Sequence, residues 1–123
     1  MLQRVIMLLC LRDGVLVRTK KFVPDYIYTQ SYLDTEAVDE VVIVDVGGDR
    51  EAFRRAAKHY SDRCFTPIAV AGHIRDTAEC RLLAGEVGAD KFVVRWDNLS
   101  VLSDIANTWG SQAAVAGVDL HRN

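Results

Sequence analysis

The stretch AVAGHIRD, residues 69–76, runs from a strand-like apolar segment through a glycine into a charged helix start. In α/β proteins such a turn holds phosphate when its residues are small, because backbone N–H groups must come close to the anion. Gly72 meets that need, but His73 and Arg75 stand where small residues would help. The turn reads as a phosphate loop with cationic side chains added, or as one that has lost its ligand. The remaining reactive side chains narrow the chemistry little. Cys10, Cys64 and Cys80 show no CxxC spacing and no metal-ligand pattern. That fits free thiols in a reducing cytosol and predicts no disulfide framework, no metal and no other cofactor.

The elements that must carry this turn are regular. RVIMLLCL (4–11), EVVIVDV (40–46), PIAVAG (67–72), KFVVRW (91–96) and AAVAGVD (113–119) are short, continuous and apolar, as are strands buried on both faces of a parallel sheet. Helical patterns lie between them. Residues 49–60 put Phe53, Ala56, Ala57 and Tyr60 on one stripe and Arg54, Arg55 and Lys58 toward water. Residues 76–88 open on an acidic cap, bury Cys80, Leu83, Ala84 and Val87, and end at Gly88. Residues 98–110 present Leu102, Ile105 and Trp109, and segment 25–37 supplies a further helix with a short helical core. VDEVVIV (38–44) and ADKFVVR (89–95) echo each other, each with an acid at the head of an apolar strand. The pattern predicts an α/β fold, (βα)4 followed by a fifth parallel strand.

At 123 residues, half of them hydrophobic, the chain is expected to form one domain, 1–123, with a substantial core. Its net charge of −2 and scattered Lys and Arg argue against a nucleic-acid partner. The opening MLQRVIMLLCLRDG has an apolar run of only strand length, closed by a DG turn rather than a cleavage site. No run is long enough to cross a membrane. The expected setting is cytoplasmic, with no membrane partner.

Two architectures share this pattern. A response-regulator receiver has a late strand similar to GADKFVV, but it needs an acidic pair just after its first strand, where this chain reads LLCLRDG. The order LxxRDGxxVR…F, VDEVVIVD, TPIAVAGHIRD, GADKFVV and GSQAAVAGVDLHR instead resembles the cyclase subunit of imidazole glycerol phosphate synthase, a (βα)8 barrel of histidine biosynthesis. KKFVPDYIY is similar to the first loop of the related cyclase-like subunits of O-antigen sugar biosynthesis. In both groups the chain continues for about as long again beyond the position of VDLHRN, so the resemblance implies the first half of a TIM barrel, standing alone.

The resemblance also implies roles. The family uses two aspartates on opposite sides of the barrel mouth as general acid and base. The first position falls on Cys10; a thiol, mostly protonated at neutral pH, cannot replace a carboxylate there, and a small buried apolar residue is the plainer reading. The second falls on Asp119, at a strand's C-terminal end. Asp45 matches another acid at the mouth, or caps the helix that follows, and Arg18 takes the place of a basic residue in the first loop. The phosphate turns fall on Ala71, Gly72 and His73 and on Arg95, Trp96 and Asp97. Trp96 and Asp97 oppose an anion by bulk and charge, whereas His73 and Arg95 together offer a cationic alternative. Arg4, Glu40 and Lys91 match a ring of charges on the barrel floor whose members pair with one another.

With the floor charges facing inward, strand alternation makes the inner set Arg4, Ile6, Leu8 and Cys10; Glu40, Val42 and Val44; Lys91, Val93 and Arg95. Above the floor this is an apolar layer that a soluble monomer does not leave open. Burying several hundred Å2 of it against a second copy is worth on the order of 10 kcal/mol at about 25 cal/mol/Å2, less the costs of association. The expectation is a homodimer or larger even assembly meeting through Leu8, Val42, Val44 and Val93, with the glycine-containing fifth strand irregular and with no cyclase activity. The competing expectation is a residual enzyme or binder for a phosphorylated ribosyl-type metabolite, using Asp119, Asp45, Arg18 and His73.

Overall fold

The computed structural model describes residues 3–20, 23–27 and 38–118. Their strands form one seven-stranded sheet in the order β3-β2-β1-β4-β5-β6-β7. β1 (Ile6–Arg12), β4 (Glu40–Asp45), β5 (Ile68–Ala71), β6 (Lys91–Arg95) and β7 (Ala114–Gly117) run parallel. β2 (Val15–Lys20) and β3 (Val23–Ile27) extend the sheet antiparallel beyond β1. This is the strand–helix succession of a partial TIM barrel, with a hairpin inserted after the first strand.

Helices α1 (Arg50–Ser61), α2 (Thr77–Leu82) and α3 (Leu99–Trp109) join successive parallel strands. α2 continues as a π-helical turn over Leu83–Val87 and closes on Gly88 in the left-handed region. Asp49 and Asp76 cap α1 and α2, accepting the N–H groups of Ala52 and Glu79. The main core lies between these helices and one face of the sheet. Leu9, Leu11, Val41, Ile43, Ile68, Val70, Phe92 and Val94, every second residue of four strands, pack there with Phe53, Ala57, Cys80, Leu83, Val101 and Ile105. Arg54, expected in water, is half-buried instead and bonds Glu86 at 3.1 Å.

Two expectations are corrected. A helix over 25–37 does not begin at residue 25, because residues 25–27 end strand β3; residues 28–37 lie outside the described residues. The tight turn explains the difference. Asp13 and Gly14 both take positive φ, 51° and 88°, the pair of left-handed residues that a two-residue hairpin loop requires. Arg12 pairs with Val15 across it, and the chain folds back as strand rather than crossing over. Nor is the fifth parallel strand irregular: β7 pairs with β6 in continuous register from Phe92 opposite Ala114 to Arg95 opposite Gly117. The shift in register lies between Arg18 and Thr19, in the hairpin.

Candidate functional site

The C-terminal ends of the parallel strands carry most of the residues singled out for chemistry. Cys10 pairs in register with Val44 on one side and Val17 on the other. These three side chains, all buried, form a second apolar cluster on the sheet face opposite the helices, with Val42, Val46 and Ala71 against it. The Cys10 thiol lies 3.8 Å from the Thr19 hydroxyl. The position is a small apolar one with a weak polar contact to Thr19, as its residue type suggests.

Asp45 ends β4, and alternation turns it to the helix side of the sheet. Its carboxylate is fully enclosed, accepts the Gly47 N–H at 2.8 Å and pairs with the Arg50 guanidinium at 2.8 Å. The cap of α1 is Asp49, so Asp45 does not fill that role. Arg50 also donates to the Gly72 carbonyl at 3.0 Å and to Glu79 at 2.6 Å, and it lies over the Phe53 ring. One side chain thus ties the end of β4, the turn after β5 and the first turn of α2. An Asp45 held this way anchors the end of β4 to the first turn of α1.

Gly72 has φ 95°, and a Cβ on it would overlap the Asp45 carbonyl oxygen. His73 is also left-handed, φ 57°, and its side chain is exposed. The close approach that glycine permits here is to the Asp45 backbone, next to the Gly72 carbonyl that Arg50 holds. Arg95 ends the neighbouring strand, largely exposed, and pairs with Asp97 at 3.0 Å. Arg18 lies in β2 rather than in a loop, exposed, between Val17 and Thr19. Asp119 lies outside the described residues. The structure thus unites Asp45 and Gly72 through Arg50, and sets Cys10 on the opposite face.

Arg50 and Glu79 are the residues that sequence reasoning missed. Arg50 follows the helix cap and carries no motif; its partners are separated from it by 5, 22 and 29 positions. The floor charges behave as expected. Glu40 is buried at the head of β4 and receives Arg4 at 2.9 Å and Lys91 at 3.4 Å. The two acids of the internal echo also share one task. Asp39 accepts the Val5 N–H at 2.7 Å and Asp90 that of Ile68 at 2.9 Å, each fastening the start of the neighbouring strand. Among the described residues no group of His, Cys, Asp and Glu is arranged to hold a metal, and no helix is long and apolar enough to cross a membrane.

Comparison with known proteins places these features in a family. The histidine biosynthesis protein family matches residues 5–123. The imidazole glycerol phosphate synthase subunit HisF of Desulfovibrio desulfuricans is 32% identical over 130 aligned positions, covering 96% of this chain and 49% of its own length. The same subunit of Methanosphaerula palustris is 30% identical, covering 98% and 49%, and that of Methanocaldococcus jannaschii 26%, covering 98% and 48%. The chain spans about half the length of the curated relatives it matches. With the alternating strands and helices, the charged floor and this match along almost its whole length, the chain belongs to the histidine biosynthesis protein family of TIM-barrel proteins.

Proposed function

We propose that the chain is a cyclase-like half-barrel that assembles with a second copy of itself through its inner sheet face and does not carry out the cyclase reaction. The observation that carries the reading is the state of that face. Ile6 and Leu8 are 52% and 51% exposed; Val42, in register with Leu8, and Val93, two strands beyond it on β6, are half-buried. In a closed barrel the opposite strands cover such residues. Val44 contributes little to a partner, being 8% exposed against Cys10 and Val17. The interface therefore centres on Leu8, Val42 and Val93.

The loss of chemistry is supported by three placements. Cys10, where the resemblance sets an acid, is packed among valines. Asp45 is committed to Arg50 and Gly47. Trp96 and Asp97 occupy the second phosphate turn, Asp97 already on Arg95. An assay for the cyclase reaction with ammonia as nitrogen source, together with a thermal-shift screen of phosphorylated ribosyl compounds, tests this. The reading expects neither turnover nor a shift. A stabilisation of several degrees that vanishes on His73→Ala contradicts it in favour of a ligand site.

A further inference from the structure

Phe65 is the most open large apolar side chain among the described residues, 96% exposed. It is not carried on a loose loop. Cys64 donates its N–H to the Ser61 carbonyl at 3.1 Å and packs against the main core. The Cys64 thiol lies 3.0 Å from the Thr66 hydroxyl, and the Pro67 carbonyl accepts the Val41 N–H at 3.1 Å. The residues on either side of Phe65 are thus fastened while its ring stands in water. The register sets this loop at the same end of the sheet as the open apolar side chains. Ile6 pairs with Glu40, and Val41 with Ile68, so Ile6, Glu40 and Pro67 stand level across β1, β4 and the start of β5. Two strand spacings, about 10 Å, separate Ile6 from Pro67. Phe65 precedes Pro67 by two residues. Within one chain the ring covers neither Ile6 nor Leu8, since all three remain exposed.

Resting on the self-association proposed above, we propose that Phe65 anchors it: the ring of each copy seats on Ile6 and Leu8 of the other. Two arguments commit the ring to a second copy. The ring and the surface that receives it lie on the same chain, so one two-fold axis satisfies both rings and closes the assembly. Ile6 and Leu8, already half-covered, fall well short of the about 800 Å2 per partner that a stable interface buries, whereas a phenyl ring adds about 200 Å2 per copy. A few large anchors seated in apolar surroundings carry most of the binding energy of such contacts.

The test measures the dimer dissociation constant of Phe65→Ser by sedimentation. The ring is so exposed that circular dichroism and thermal unfolding of the single chain are expected to stay as in wild type. The constant is expected to rise about a hundredfold, about tenfold for each of the two rings in a dimer. Leu99→Ser is the control: this side chain is 71% exposed but begins α3, beyond the opposite end of β6. It is expected to leave the constant unchanged; a loss as large as that of Phe65→Ser overturns the placement. Phe65→Ser combined with Leu8→Ala is expected to raise the constant by less than the product of the separate effects, because the two side chains share one contact. A full product overturns the seat on Leu8. A Phe65→Ser dimer as tight as wild type overturns the anchor and leaves self-association standing, whereas a wild-type chain that is monomeric at tens of micromolar overturns self-association itself.

Discussion

Arg50 shows how a residue without a motif can govern the end of a sheet. Its guanidinium, 21% exposed, neutralises Asp45, whose carboxylate has no exposure, and Glu79. Arg50→Met keeps the stem over Phe53, strands the Asp45 charge and leaves Glu79 to Arg54 at 3.7 Å. The expected loss is about 3 kcal/mol in urea unfolding, the low end for a broken buried pair because Arg50 retains some solvent. The acid at the strand end is legible in DVGGDR; its partner is not, because the pairing depends on how the Gly47–Gly48 turn returns the chain. Cys80 makes a second point at this scale. Burial, with Asp76 and Glu79 adding repulsion, pushes its thiol up to about 11 from an ordinary 9.0. The folded state therefore favours the neutral thiol. Stability from this group is intact below the ordinary value of 9.0 and declines as pH rises through about 11, because the unfolded chain ionises first. Unfolding curves across that window are expected to fall more steeply for wild type than for Cys80→Ala. Cys10 was legible by residue type alone, as a small residue on a buried apolar strand.

The parallel strands and three helices follow closely from apolar runs and capping residues, because each pattern is local. The hairpin does not. VLVRTK carries no strict alternation, and β3 contains a proline that only an edge or irregular position tolerates. Asp13-Gly14 was visible as a turn, but whether the chain then crossed over or folded back depended on register with β1. Gly72 marks where two elements meet most closely. Gly72→Ala combines a left-handed φ with overlap on the Asp45 backbone, so it is expected to cost several kcal/mol or prevent folding, read by circular dichroism and thermal unfolding. The echoed acids are a milder case. Asp90→Ala removes the acceptor for the Ile68 N–H at the start of β5 and is expected to cost about 1 kcal/mol. Their repetition was legible, but its purpose needed the register, in which each acid stands beside the start of the preceding parallel strand.

Among the described residues the helices cover one face of the sheet, and on the other a packed cluster at Cys10, Val17 and Val44 adjoins the open side chains of Ile6 and Leu8. The inward set of residues was legible from alternation. The division was not, because Val17 of the hairpin joins Cys10 and Val44 in the packed cluster. This moves the expected interface away from Val44 and toward Leu8. Leu8→Glu is the sharpest probe: the side chain is half-exposed in the single chain, so a carboxylate there stays solvated in the monomer and is buried only on pairing. Sedimentation equilibrium of wild type and Leu8→Glu across micromolar concentrations is the direct measurement. The account predicts a wild-type dimer and a Leu8→Glu monomer with unchanged circular dichroism. A wild-type chain that stays monomeric throughout that range, or a Leu8→Glu variant that dimerises as tightly as wild type, would contradict it.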